Sequence, residues 1–389
     1  MTEFHRIKLI AAAILGAVTV LGFAPFYLFP IPVVTLALLL KFCRNSQSAW
    51  QVSLLGFSFG MGLFSAGVTW LYVSLHDFGA MPTHIAIVVL MILCIYMSLF
   101  PALSLYILAR LRISSTLLWS CVAAALWTLF EWLRGTLFTG FPWLAVGYSQ
   151  APSSPLVGFA PIIGVYGISF LLVLSAALLF LYIESRLKAW RYGALLVLVW
   201  FGGFVLQMID WTKPQGEPIT VSLLQGNISQ DLKWRDDHIE NTMEIYKKLI
   251  LESPSQLIVT PEISIPLFSN VVPAKYIAQL AEHARNNNGD VLVGLAEHGV
   301  NQGEYYNTMF SFGSAPEQSY RKYHLVPFGE YIPLKAVFGW IIHILQIPLS
   351  DFSRGSLDQK PMYLAGQRIA INICYEDVFG EEIIKQLPD

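Results

Sequence analysis

Apolar positions run almost unbroken through the first half of the chain and fall into short alternating blocks in the second. Long runs lie near residues 7–22, 28–42, 52–73, 84–109, 114–133, 157–183 and 193–209. A helix needs about 20 apolar residues to cross the roughly 30 Å hydrocarbon layer. The pattern therefore predicts a polytopic α-helical membrane domain of about seven spans, the first two being short. Pro25 and Pro30 interrupt the periodicity between that first pair, because proline lacks an amide donor and stops a helix. A tight hairpin is expected there.

Beyond residue 211 the periods shorten. Strands are predicted at 219–225, 257–260, 290–296, 305–313 and 368–374, with helices at 236–252 and 274–286 and a helix-like segment at 379–386. Alternating strands and helices with some adjacent strands argue for a layered α/β sandwich. Of the 389 residues only 13% are charged. The Asp, Glu, Lys and Arg residues number 15 in 1–211 and 35 in 212–389, which sets the expected domain boundary at Asp210–Pro214.

Charge also orients the membrane half, since Lys and Arg of short loops stay on the cytoplasmic side. Arg6, Lys8, Lys41, Arg44, Arg110, Arg112, Arg186, Lys188 and Arg191 fall on one side, and only Arg134 on the other. With seven spans, residues 212–389 are expected outside the cytoplasm, in the periplasm of a two-membrane bacterium. A net charge of −2 without a basic block argues against a nucleic-acid partner. The N-terminal apolar run follows His5, Arg6 and Lys8 without a cleavage site close behind, and reads as an uncleaved first helix.

Within the apolar half, Glu131 and Arg134 stand at i and i+3, where a helix lets them pair. The alternative is that Arg134 meets a lipid phosphate at the outer boundary. The cluster Phe138-Thr139-Gly140-Phe141-Pro142-Trp143 is either an interfacial aromatic belt or a docking floor for substrate through Gly140 and Trp143.

Candidate chemistry lies in the second half. Cys374 is the only cysteine outside the apolar half; it ends an apolar run and has no partner nearby for a disulfide. Glu262 follows the apolar strand 257–260 and stands between Pro261 and Pro266. Lys322 and Glu330 lie in a segment, 321–333, rich in proline, glycine and aromatics, which includes Phe328 and reads as an ordered loop. A free thiol is only a few per cent thiolate at neutral pH. A carboxylate can take its proton during attack, and an ammonium can hold the oxygen of the tetrahedral adduct, so Glu, Lys and Cys together describe acyl transfer. Phosphate loops, His-Glu-x-x-His runs and cysteine pairs are missing from the sequence, so neither a nucleotide cofactor nor a metal is expected. Residues 334–349, with one formal charge, read as an arm dipping into the membrane interface or as a core helix.

These motifs, with Phe23-Ala24-Pro25-Phe26, Gly56-Phe57-Ser58-Phe59-Gly60, Trp70-Leu71-Tyr72-Val73-Ser74, Glu131-Trp132-Leu133-Arg134-Gly135 and Thr139-Gly140-Phe141-Pro142-Trp143, give the chain a resemblance to the apolipoprotein N-acyltransferase family. Members are bacterial inner-membrane enzymes with a periplasmic domain of the nitrilase superfamily. The resemblance covers essentially the whole chain. It implies an αββα sandwich, with Glu262 as base, Lys322 as oxyanion stabiliser and Cys374 as nucleophile. Supporting roles fall to Glu330, Tyr375 and Glu376, and substrate-side roles to Trp234 of Asp231-Leu232-Lys233-Trp234 and to Phe328. It further implies a phospholipid acyl donor, a diacylglyceryl apolipoprotein acceptor, no cofactor and a monomer in the bilayer.

Two departures stand out. Thr260 replaces the tryptophan usual before the proline of the Glu262 turn, and the sandwich is expected to be incomplete at its C-terminus because the chain ends at Asp389. A membrane-tethered nitrilase-type amidase and a non-catalytic relative binding lipid or lipoprotein are the competing readings. Transport is weaker, for want of paired interrupted helices.

Overall fold

The structure is a computed structural model that describes residues 3–79, 81–185, 189–230, 232–327, 329–331 and 351–386. Phe328, the 334–349 arm and the loop cations Arg186 and Lys188 lie outside the described residues. Residues 1–77 and 81–214 cluster as one compact unit, and residues 78–80 and 215–389 belong to a second.

In the first unit every predicted apolar run is helical: α1 (Glu3–Thr19), α2 (Pro30–Arg44), α3 (Ala49–Gly67), α4 (Trp70–Val73), α5 (Thr83–Arg110), α6 (Thr116–Thr136), α7 (Ala160–Glu184) and α8 (Ala189–Leu206). Pro30 opens α2 at its first turn, where its missing N–H costs nothing, and the segment Phe23–Phe29 forms the expected reversal. The run predicted as one span over 52–73 is broken near Gly67, and α3 meets the following helical segment at 54°. By length and composition, four described helices are able to cross a membrane, or five if that bent pair counts as one span. At 17 and 15 residues, α1 and α2 are shorter. Their buried faces join α3, α5, α6 and α7 in one core that includes Leu36, Leu39, Leu55, Phe59, Met97, Leu172 and Leu178.

The second unit is built on a five-stranded sheet in the order β1 (Val221–Leu223), β2 (Leu257–Val259), β3 (Asp290–His298), β4 (Tyr305–Gly313) and β5 (Gln318–Arg321). The β1–β2 and β2–β3 pairs are parallel and the β3–β4 and β4–β5 pairs antiparallel. Helices α9 (Asp236–Glu252) and α10 (Ala274–Asn286) coincide with the ranges expected from periodicity. They cover one face through Ile250, Tyr276 and Leu280 against Ile258, Val291, Val293 and Phe310. The alternate side chains Leu257, Leu292, Met309 and Tyr320 meet Met362, Leu364, Ile371 and Ile373 on the other face, as a period of two requires.

That opposite layer carries the hairpin β6 (Met362–Leu364) and β7 (Gln367–Ile369). Its two-residue turn, Ala365-Gly366, has φ of 48° and 75°, the conformation that matches strand twist. Buried Asp290 accepts the amides of Ala315 and Ala365 and so ties this hairpin to the main sheet. The strand expected over 368–374 stops at Ile369, and Cys374 opens a 3₁₀ turn, Cys374–Val378, instead. Strands β5 and β6 lie outside the ranges that the sequence pattern predicts.

Candidate active site

Glu262, Lys322 and Cys374 all leave the sheet region in short irregular segments, which lets side chains from three separate strands converge. Glu262 sits in the turn after β2, where Thr260 still pairs with Leu292 and Ile263 adopts φ 41°. Gly294 of β3 makes this turn possible, because a Cβ there would stand 2.4 Å from the Pro261 carbonyl oxygen. Lys322 continues β5 by donating its amide to the Asn307 carbonyl at 2.8 Å, so its register is set by the sheet. Cys374 is held at φ 54°, in the left-handed region that a side chain rarely takes. That conformation turns the chain sharply at the thiol. Strain of this kind concentrates at functional sites.

The Lys322 side chain is 1% exposed, and its Nζ donates to Glu262 Oε1 at 3.0 Å and Glu330 Oε1 at 2.8 Å. Asn307, buried in β4, donates Nδ2 to the same two oxygens at 2.5 and 3.2 Å. Glu330 is itself fixed by the Val326 amide at 2.8 Å. Burial pushes the Lys322 ammonium down, but Glu262, Glu330 and the Cys374 sulfur outweigh it and the group is held above its ordinary range. Burial likewise pushes the Glu262 carboxyl up, and Lys322, Asn307 and Lys233 together bring it below its ordinary range. Glu262 is thus an ionised carboxylate at neutral pH.

The thiol behaves in the opposite sense. Cys374 is exposed as a residue, yet its sulfur is crowded by carboxylates. Desolvation first, then Glu262 and Glu330 against the opposing charge of Lys322, push it up to about 11. A neutral thiol beside an ionised base suits attack in which the proton leaves as the sulfur bonds.

Behind Cys374, Glu376 joins two of the three segments. One carboxylate oxygen accepts the Ile373 amide at 2.8 Å; the other accepts the amides of Tyr323 at 2.7 Å and His324 at 3.2 Å and the Tyr320 hydroxyl at 3.0 Å. The turn bearing Cys374 is therefore pinned to the chain immediately after Lys322. Burial raises the Glu376 carboxyl and these donors oppose it. Tyr375 is buried edge-on to His324 and Phe379, and His324 also binds Glu382 at 3.0 Å. Trp234 packs with Tyr305 and Tyr331 against Ile263, Leu325 and Phe352, an aromatic wall alongside the segments of Glu262 and Lys322.

The other expected substrate residues, Arg134, Gly140 and Trp143, form a cluster of their own in the helical unit. Arg134 is 2% exposed. Its guanidinium donates to the carbonyls of Phe141 at 2.5 Å and Trp143 at 2.6 Å and lies over the Phe64 ring. The Arg134 side chain is thus buried and braces a loop. The expected i, i+3 pair is corrected, since among the described residues no direct ion pair joins Arg134 to Glu131. Glu131 instead accepts from the Trp127 indole and the Val146 amide, both at 2.9 Å. Gly140 takes φ 81° where the chain leaves α6, and Trp143 rests half-buried on Phe141 and Trp70.

Two residues of the site escaped the sequence reading. Asn307 is the lone side-chain amide in β4, beside the buried hydroxyls of Thr308 and Ser311; Lys233 stands beside Trp234 and donates Nζ to the Glu262 backbone carbonyl at 3.1 Å. Among the described residues, no group of three or more His, Cys, Asp or Glu side chains is arranged to hold a metal ion.

Comparison with known proteins gives two family matches. Residues 15–178 match the apolipoprotein N-acyltransferase N-terminal domain and residues 220–387 match carbon-nitrogen hydrolase. The chain is 65% identical over 381 residues to the apolipoprotein N-acyltransferase of Nitrosomonas europaea, an alignment covering 98% of this chain and 76% of that protein. It is 38% identical over 382 residues to the enzyme of that name from Chromobacterium violaceum (97% and 73% covered) and 41% over 381 residues to that of Ralstonia nicotianae (97% and 72%).

Proposed function

The chain belongs to the apolipoprotein N-acyltransferase family, and from that premise we propose that it acylates the N-terminal amine of lipoproteins through a thioester on Cys374. The donor is a phospholipid and the acceptor the free α-amine of a diacylglyceryl-cysteine. One observation carries the chemistry: a buried ammonium, Lys322, bonded at once to two carboxylates beside the only exposed thiol among the described residues.

In the first half-reaction Glu262 takes the S–H proton as the Cys374 sulfur bonds to the donor's ester carbonyl carbon. The carbonyl oxygen becomes an oxyanion facing the Lys322 ammonium, a donor of the kind worth about 3 to 4 kcal/mol. Collapse breaks the C–O bond, and Glu262 returns the proton to the departing alkoxide of the lysophospholipid. In the second half-reaction the amine attacks the thioester, its proton passes to Glu262, and C–S cleavage lets the thiolate recover it. Glu330 and Asn307 hold Lys322 and Glu262, and Tyr375 and Glu376 hold the nucleophile turn. Trp234, Phe328 and the neighbouring aromatic wall receive the acyl chain, while Gly140 and Trp143 belong to the lipid-facing side.

This integral membrane protein acts as a monomer in the bacterial inner membrane, crossing it seven times with α1 and α2 as short spans. Residues 1–211 form the membrane domain, and residues 212–389 carry the chemistry on the periplasmic side. Nine Lys and Arg residues on one side of the spans against Arg134 on the other support that orientation. It would bring donor and acceptor into the leaflet next to the thiol. Purified protein incubated with phospholipid and a synthetic diacylglyceryl-cysteine peptide should yield a peptide gaining one fatty acyl amide and an equal amount of lysophospholipid. Release of free fatty acid with the peptide unchanged would instead mark an amidase-like hydrolase. Neither product would mark a non-catalytic binder.

A further inference from the structure

Lys233 has no part in the reaction so far described, yet its ammonium lies at the base. It belongs to a tight turn in which the amides of Leu232 and Lys233 both reach the Ser229 carbonyl, at 3.0 and 3.1 Å, and Arg235 reaches Leu232 at 3.1 Å. Trp234 anchors the same turn in the aromatic wall, with Lys233 Nζ 6.0 Å from its ring centre. The half-buried ammonium donates to the backbone carbonyl of Glu262. Among the described residues no carboxylate forms an ion pair with it.

The groups facing Glu262 can be counted. Lys322 comes from the end of β5, Glu330 from the loop beyond it, Cys374 from the turn after β7, neutral Asn307 from β4, and Lys233 from the turn before α9. With the thiol neutral, two carboxylates and two ammoniums balance. Without Lys233 the site carries one excess negative charge, and Lys322 alone has to satisfy both acids. An excess negative charge favours the protonated acid, the form of Glu262 that cannot accept the thiol proton.

We propose that Lys233 is a positioning residue of this site: its ammonium clamps the Glu262 turn through the backbone carbonyl and supplies the second positive charge that keeps the base ionised beside a neutral thiol. The charge of Lys233 acts through space to help hold the Glu262 carboxyl below its ordinary range, while burial lowers the Lys233 ammonium and Glu262 and Cys374 oppose that lowering. The clamp and the charge are separable. Lys233→Gln keeps an N–H donor for the carbonyl and removes the charge, Lys233→Met removes both, and Lys233→Arg keeps both.

The inference rests on the proposed acyl transfer for one of its two readouts. The rate of acyl-enzyme formation from phospholipid, followed by intact mass across pH, should lose activity toward acid at a value raised by about one pH unit or more in Lys233→Gln and Lys233→Met, with Lys233→Arg resembling the parent. Alkylation of Cys374 by iodoacetamide at fixed alkaline pH, with no lipid present, should slow several-fold in the same two variants and not in Lys233→Arg. A uniform loss at every pH with unchanged alkylation would overturn the charge role and leave a simple brace. If the parent forms no thioester, the acyl-transfer reading fails, and the alkylation series still decides the role of Lys233.

Discussion

Lys322 and Arg134 are both almost completely buried cations, at 1% and 2% exposure, and they solve the problem of burial in different ways. From α6, Arg134 turns to two backbone carbonyls of the loop that follows the helix and to an aromatic face, neutral partners that fix a chain reversal. Lys322 turns to two carboxylates, and one of them, Glu262, also faces a thiol. A cation satisfied by carbonyls is complete as it stands. One that holds two acids next to a nucleophile creates a field whose balance changes when a proton moves, and this is what catalysis requires. Burial by itself therefore does not mark function; the partners do.

The sharpest break of this comparison is at the sulfur. Cys374→Ala should abolish acyl-enzyme and peptide acylation, with no change in helical content by circular dichroism. Lys322→Met comes next, lowering the rate of acyl-enzyme formation by about 10²- to 10³-fold, the usual loss for one oxyanion donor. It also leaves Glu262 and Glu330 facing each other without their cation, so unfolding should show a loss of about 3–5 kcal/mol.

The thiol gives a pH test with a definite sign. Because its pKa is pushed up to about 11, the thiolate fraction keeps rising with pH well beyond the ordinary thiol range. Iodoacetamide should modify Cys374 about 10²-fold more slowly at neutral pH than an unperturbed thiol, reaching its plateau only near that value. Glu262 has the opposite sign. Held below its ordinary range, it stays ionised as pH falls, so its contribution to activity and to stability is lost only as pH drops through that lowered value.

Smaller effects sharpen the contrast. Glu376→Gln presents an NH₂ group to one set of its amide donors, loosening the Cys374 turn relative to Lys322; a rate loss of about 10-fold is expected, short of the 10² that a full ångström of misplacement costs. Arg134→Met leaves the Phe141 and Trp143 carbonyls without their donor. Each orphaned group costs about 1–3 kcal/mol, so the melting temperature in detergent should fall by several degrees. Iodoacetamide modification of Cys374 should stay within roughly twofold of the parent, since among the described residues the two share no partner.

Much of this was legible in the chain because it depends on local pattern. Helices α9 and α10 were visible in their apolar spacing, and each apolar run of the first half is helical, though α1 and α2 are short. Glu262 and Cys374 stood out as polar residues where apolar strands end, and Lys322 as a cation in an ordered loop. Long-range geometry was hidden. Neither the end of β7 at Ile369 nor the left-handed conformation at Cys374 has a signature in a run of apolar residues. Spacing allowed Glu131 and Arg134 to pair on α6, but it carried no information about the 141–146 loop folding back to claim both. Strand β5 is short and polar at both ends, so its pairing with β4, the feature that aims Lys322, is tertiary in origin.

The most direct test is to map the acyl group. After incubation with phospholipid alone, peptide mass spectrometry should find one fatty acyl chain on the peptide containing Cys374, removed by neutral hydroxylamine as a thioester must be. Acylation of a lipopeptide by a Cys374→Ala chain, or an adduct on any other residue, would contradict the account.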